Sequence, residues 1–187
     1  MAQYLLFFGP PGSGKSTQGS LLSAKRGIPH ISIGELLRAA AGSGSESSTV
    51  IAEQMGRGGM VADEIVMKVL REHLASSPIA DGFILDGFPR AEQQLVLLEE
   101  LVTELKLPGY LAVDIDIPRE ESYQRLMARG RGDDNSEVIS RRLDAYTEMA
   151  GPVLHYFAER GVLVVIDGQG TIEEIATRLE QALVGRG

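Results

Sequence analysis

Gly9-Pro-Pro-Gly-Ser-Gly-Lys-Ser16 follows the apolar run Gln3–Phe8 and opens a segment of helical period, Gly14–Lys25. The octet meets G-x-x-x-x-G-K-[ST] at every fixed position, with a strand before it and a helix after it, the context the motif requires. Glycines let the backbone wrap a phosphate, while the N–H groups and the helix N-terminus supply partial positive charge. Lys15 is placed to reach the outer phosphates of a nucleoside triphosphate, and Ser16 or Thr17 to hold magnesium.

Outward from this loop, short β-rich runs alternate with helical segments, which predicts βαβ units on a parallel sheet. Strands are expected at Gln3–Phe8, His30–Ile33, Phe83–Leu85, Tyr110–Asp116 and Val162–Ile166. Helices are expected at Gly14–Lys25, Glu35–Ala41, Ser48–Gly56, Asp63–Leu74, Glu92–Lys106, Glu120–Ala128, Glu137–Arg160 and Ile172–Leu183, with Pro152 kinking or splitting the seventh. Ala39–Ser48 and Gly56–Gly59 are turn-rich and bracket a segment able to hinge as a unit; Arg129–Asn135 forms a second glycine-containing loop. Two covers over one site is a kinase-like plan.

The chain of 187 residues suits one domain, residues 1–187, and no apolar run approaches the roughly 20 residues a bilayer crossing needs. The expected compartment is the cytoplasm. With no cysteine, disulfides, thiolate chemistry and a cysteine-ligated structural zinc are excluded. A net charge of −8 argues against nucleic-acid or anionic-membrane partners, which need a basic footprint. Four lysines stand against fourteen arginines, and the guanidinium fork suits bidentate phosphate contacts.

A second constellation, Asp86-Gly-Phe-Pro-Arg90, lies past the strand at Phe83–Leu85, at the carboxyl edge where open parallel sheets bind ligands. Asp86 is a candidate to orient magnesium through water or to act as a general base, and otherwise a turn-forming residue. Arg90 is a candidate phosphate clamp. Arg125 and Arg129 share one face of a helix at i, i+4, so both can converge on one anion. Arg131 follows in the glycine loop, and Arg142 lies on the next helix, whose start Asp134 is expected to cap with Glu137 three residues on.

With GPPGSGKSTQ, HISIGELLRAA, GGMVADEIV, ILDGFPRAEQQ, VDIDIP, QRLMARGRGDDN, SRRLDAY and IDGQGTIEEI in that order, the chain resembles the short-lid adenylate kinases over essentially its whole length. The resemblance implies a P-loop NTPase fold of the α/β class: a five-stranded parallel sheet flanked by helices, with a monophosphate-binding insertion at about residues 32–61 and a short lid at about residues 130–136. It implies ATP contacts from Gly12, Ser13, Gly14, Lys15, Ser16, Thr17, Arg129 and Gly170. It implies an AMP pocket of Arg38, Gly59, Met60, Val61, Gly87, Phe88, Pro89, Arg90 and Gln94, with Ile33 where the family usually has threonine. Arg131 and Arg142, with Lys15, Arg90 and Arg125, would grip the phosphates in transfer. Mg2+ would accompany ATP near Ser16 and Asp86, and the enzyme would act as a monomer.

The acceptor's phosphate oxygens are already negative at neutral pH, so no general base is needed, and His30, His73 and His155 are expected to be surface or packing residues. Alternatives from the residues are a UMP/CMP kinase of the same fold, a hydroxyl-acceptor kinase with Asp86 as base, and a non-catalytic nucleotide sensor. The amide of Gln94 favours AMP among these.

Overall fold

The structure, a computed structural model, describes residues 3–44, 47–77, 79–130 and 135–186. Five parallel strands form one sheet in the order β2-β3-β1-β4-β5, with β1 at Gln3–Phe8, β2 at His30–Ser32, β3 at Gly82–Asp86, β4 at Leu111–Asp116 and β5 at Leu163–Asp167. The eight helices among the described residues are α1 (Lys15–Arg26), α2 (Ile33–Ala41), α3 (Ser48–Gly56), α4 (Asp63–Ala75), α5 (Gln94–Glu104), α6 (Arg119–Arg129), α7 (Ser136–Glu159) and α8 (Ile172–Leu183). The expected α/β fold with a five-stranded parallel sheet is therefore present.

Alternate residues of β1 feed opposite faces of the sheet. Tyr4, Leu6 and Phe8 join one core with α2, α4 and α5, while Leu5 and Phe7 join a second core with Leu22 of α1 and Leu179 of α8. Burial on both faces explains why β1 and β3 read as unbroken apolar runs rather than as alternations. At about 25 cal/mol per Å² of apolar surface, these two layers are the main stabilising contribution.

Three expectations are corrected. Pro152 does not split its helix: α7 runs unbroken through it, with Val153 and Phe157 fully buried on its C-terminal side. Burial of that half holds the segment helical despite the missing N–H. Ile33 begins α2 instead of ending β2, since Ser32 already stands at the N-cap position and the chain turns there. Asp134 lies outside the described residues, and α7 is capped by Asn135, whose side chain accepts from Val138 N at 3.0 Å.

Candidate active site

The carboxyl ends of β1, β2 and β3 open onto one cleft of about 690 Å³. The phosphate loop forms its floor. Gly9 has φ 136°, and a side chain there would place Cβ 2.6 Å from Ser13 Oγ, so the tight return of the loop requires glycine. The loop is pinned from behind by α6: Ser122 Oγ donates to Pro11 O, and the Arg125 guanidinium donates to Ser13 O at 3.4 Å and Gly168 O at 2.9 Å. Arg125 also pairs with Glu121 at 2.5 Å, so it ties the loop, its own helix and the β5–α8 connection together.

Lys15 Nζ donates to Pro10 O at 3.1 Å. Burial pushes its ammonium below the ordinary lysine range, with Asp86 pulling the other way. Ser16 Oγ donates to Asp86 Oδ2, joining the start of α1 to the end of β3. Burial would raise the Asp86 carboxyl, but the His30 ring, Lys15 and Ser16 together outweigh it and hold it below the usual carboxylate range. An ionised carboxylate beside a hydroxyl is a hard-oxygen pair suited to magnesium that is also held by nucleotide phosphates.

Across the cleft, Arg90 folds back so that its Nε donates to Gly87 O at 2.8 Å. Gly87 has φ 89°, and a Cβ there would stand 2.8 Å from Arg90 Nη2; glycine is what lets the arginine lie over its own turn. The Phe88–Pro89 peptide between them is cis. Burial also lowers the Arg90 guanidinium, offset by Asp86 and reinforced by Arg142 and Arg38, though arginine remains charged throughout. Arg142 donates to Met55 O at 3.5 Å and Arg141 to Arg57 O at 3.4 Å, so α7 touches the far end of the 32–61 segment.

Most of the sequence-selected residues converge on the cleft: Gly12, Gly14, Lys15, Ser16 and Thr17 on the floor, Arg125, Arg129 and Gly170 on one side, and Arg38, Gly59, Met60, Val61, Asp86, Gly87, Pro89, Arg90 and Arg142 on the other. Arg131 lies outside the described residues. Four are not among the residues that line the cleft. Ser13 is fully buried beneath the loop, Phe88 is packed in the core, and Ile33 sits in the same core while Ser32 and Gly34 line the cleft on either side of it. Gln94 is 2% exposed and lies behind Arg90, accepting from Arg90 N at 2.7 Å and donating to Asp63 Oδ1 at 2.6 Å.

Sequence reasoning missed three residues here. His30 is a packing residue, as expected, but it packs against the site: Nδ1 lies 3.2 Å from Ser20 Oγ and Nε2 3.6 Å from Asp86 Oδ2, with Gly19 leaving room for the ring. No local signal marks it, because the contact arises only from the pairing of β2 with β3. Tyr146 lines the cleft one turn after Arg142, a spacing that could have found it. Its hydroxyl donates to Asp114 Oδ1 at 3.5 Å, and burial, with Asp116 adding repulsion, pushes the Asp114 carboxyl up to about 6.

Residues 7–162 match the family model described as adenylate kinase. The chain is 42% identical over 183 residues to a protein named adenylate kinase from Synechococcus sp. (strain WH7803), covering 98% of this chain and all of that one. It is 40% identical over 181 residues to adenylate kinase 1 of Synechocystis sp., covering 97% of each. It is also 40% identical over 183 residues to an adenylate kinase of Xanthomonas campestris pv. campestris (strain B100), covering 96% of this chain and 98% of the relative.

Proposed function

The chain belongs to the adenylate kinase family, and we propose that its cleft performs the reaction the name describes, reversible transfer of the terminal phosphoryl group of MgATP to AMP to give two ADP. The observation that carries this reading is the single cleft holding the phosphate loop and Lys15 on its floor and Arg38, Arg90 and Arg142 on the opposite side. Two polyanions brought together there need their repulsion cancelled, an in-line geometry and exclusion of water.

In this assignment Gly12 to Thr17, Arg129 and Gly170 hold ATP. Arg38, Arg90 and the Gly59–Val61 and Gly87–Pro89 turns hold AMP, with Gln94 reading its base. Ile33, packed in the core between the cleft residues Ser32 and Gly34, would border the acceptor pocket where the family usually has threonine. Lys15, Arg125, Arg131 and Arg142 follow the charge that develops on the transferring group. Ser16 and Asp86, the latter through water, would hold magnesium, which when bound supplies positive charge to the bridging phosphate oxygens. Among the described residues, no group of three or more His, Cys, Asp or Glu side chains is placed to hold a metal ion. The acceptor segment at residues 32–61 and the lid at residues 130–136 would close over the two nucleotides. The reading includes a monomer in the cytoplasm, and the net charge of −8 supports its having no nucleic-acid or anionic-membrane partner. No described helix is long and apolar enough to cross a membrane.

The test is incubation with MgATP and, separately, AMP, CMP, UMP, GMP and dTMP, following both diphosphates by chromatography with ATP alone as control. Two ADP per turnover with AMP, and little product from the others, is the expected result. A preferred pyrimidine overturns the acceptor, and no reaction with any monophosphate overturns the activity.

A further inference from the structure

We propose that Asp63 acts as an orientation lock on the Gln94 amide, and that this lock makes the acceptor site select 6-amino over 6-oxo purines. The inference rests on the reading of Gln94 as the residue that meets the acceptor base. Asp63 opens α4, far from the phosphate chemistry, and it is half-buried with its Oδ1 2.6 Å from Gln94 Nε2. On the other side, the Arg90 backbone N–H donates to Gln94 Oε1 at 2.7 Å.

These two partners have opposite and invariable character. A carboxylate can only accept, and a backbone N–H can only donate. Rotating the amide by half a turn would set oxygen against carboxylate oxygen at Asp63 and N–H against N–H at Arg90. The orientation of Gln94, ordinarily free to flip, is therefore fixed in the empty enzyme.

An amide has two N–H donors and two acceptor sites on oxygen, so one of each is left without a partner among the described residues. Their order decides which base fits. A 6-amino purine presents an acceptor at N1 and a donor at N6, a pattern an amide satisfies bidentately. A 6-oxo purine presents the reverse, a donor at N1 and an acceptor at O6. A freely rotating amide would satisfy both; a locked one satisfies only the first and leaves buried polar groups unpaired against the second.

The test compares kcat/KM for AMP and for IMP, which differ at this edge alone, with calorimetric Kd values as a second readout. In Asp63→Asn the lock is loosened, because the new side chain can donate to a rotated amide. The AMP-over-IMP ratio is expected to fall several-fold, up to about tenfold, since the charge-assisted bond that opposed rotation is gone while the Arg90 N–H still disfavours the rotated amide. In a Gln94→Ala background the Asp63 substitution is expected to leave the ratio unchanged, an interdependence that a merely structural role for Asp63 would not produce. Asp63→Ser provides the same readout if the asparagine variant folds poorly. An Asp63 variant that keeps the wild-type ratio while Gln94→Ala collapses it overturns the lock but leaves Gln94 as the base reader. A ratio unmoved by Gln94→Ala overturns both.

Discussion

Replacing Asp114 by asparagine should make the protein more stable at neutral pH, contrary to the usual outcome of changing a buried polar residue near a nucleotide site. Asp114 is 6% exposed at the carboxyl end of β4, and its carboxyl is pushed up to about 6 from an ordinary value of 3.8. The causes are burial first, then Asp116, with the Tyr146 hydroxyl and Lys15 only partly offsetting them. Because the folded state holds this proton more tightly than the unfolded state, folding is most favoured by Asp114 at low pH, and that advantage declines as pH rises from about 4 to about 6. Above that window the penalty levels off at about 3 kcal/mol, and near pH 5 it is about half as large. Asparagine keeps an oxygen for the Tyr146 hydroxyl and never ionises. Urea titrations of both proteins at pH 4, 5 and 7.5 should show the variant gaining on the wild type as pH rises, toward ~6–12 °C in thermal melts at pH 7.5. The difference between the two proteins removes the contribution of every other titrating group. A variant less stable at pH 7.5, or a gap that does not change with pH, would refute the account.

Arg142→Ala should lower kcat by roughly 10³-fold with a smaller change in KM, read by steady-state kinetics alongside a melt showing the fold retained. Gly87→Ala should destabilise the protein by about 1–3 kcal/mol and raise the KM for AMP, because φ 89° is unfavourable for alanine and its Cβ would meet the Arg90 guanidinium. Chelation with EDTA should abolish transfer and added Mg2+ restore it, while the melting temperature of the nucleotide-free protein stays unchanged, as expected for a cation that enters with ATP.

Much of this was legible in the sequence because local chemistry and fold agree. β1, α3 and α8 have the bounds read from their apolar periods and turn residues, and the phosphate loop lies between its expected strand and helix. What escaped depended on contacts across the sheet or between layers. His30 gained its place only when Ser32 came into register with Asp86. Asp114 did leave a signal, a carboxylate inside a strand buried at four successive positions, which should have marked it as perturbed. Gln94 was identified through the resemblance carried by ILDGFPRAEQQ, but Asp63 as its partner required knowing that α4 and α5 begin beside each other. Pro152 does not divide its helix because tertiary burial of Val153 and Phe157 outweighs a local helix defect.

The strand order also determines how the gene is divided. β1 sits between β3 and β4, and the stretch from β2 through α5 leaves it on one side while β4, β5 and their helices complete the other. On the proposed assignment, the acceptor groups apart from those on α7 and the lid occupy one uninterrupted block of coding sequence, from Ser32 to Gln94, whereas the ATP-binding groups are split between the chain's beginning and its last third. On that assignment acceptor preference would be exchanged as one segment between relatives, with the β1–β3 pairing, the core contacts of Leu6 and Phe8, and Gly58 against Val138 and Arg142 as the junctions to match, and the ATP site would not.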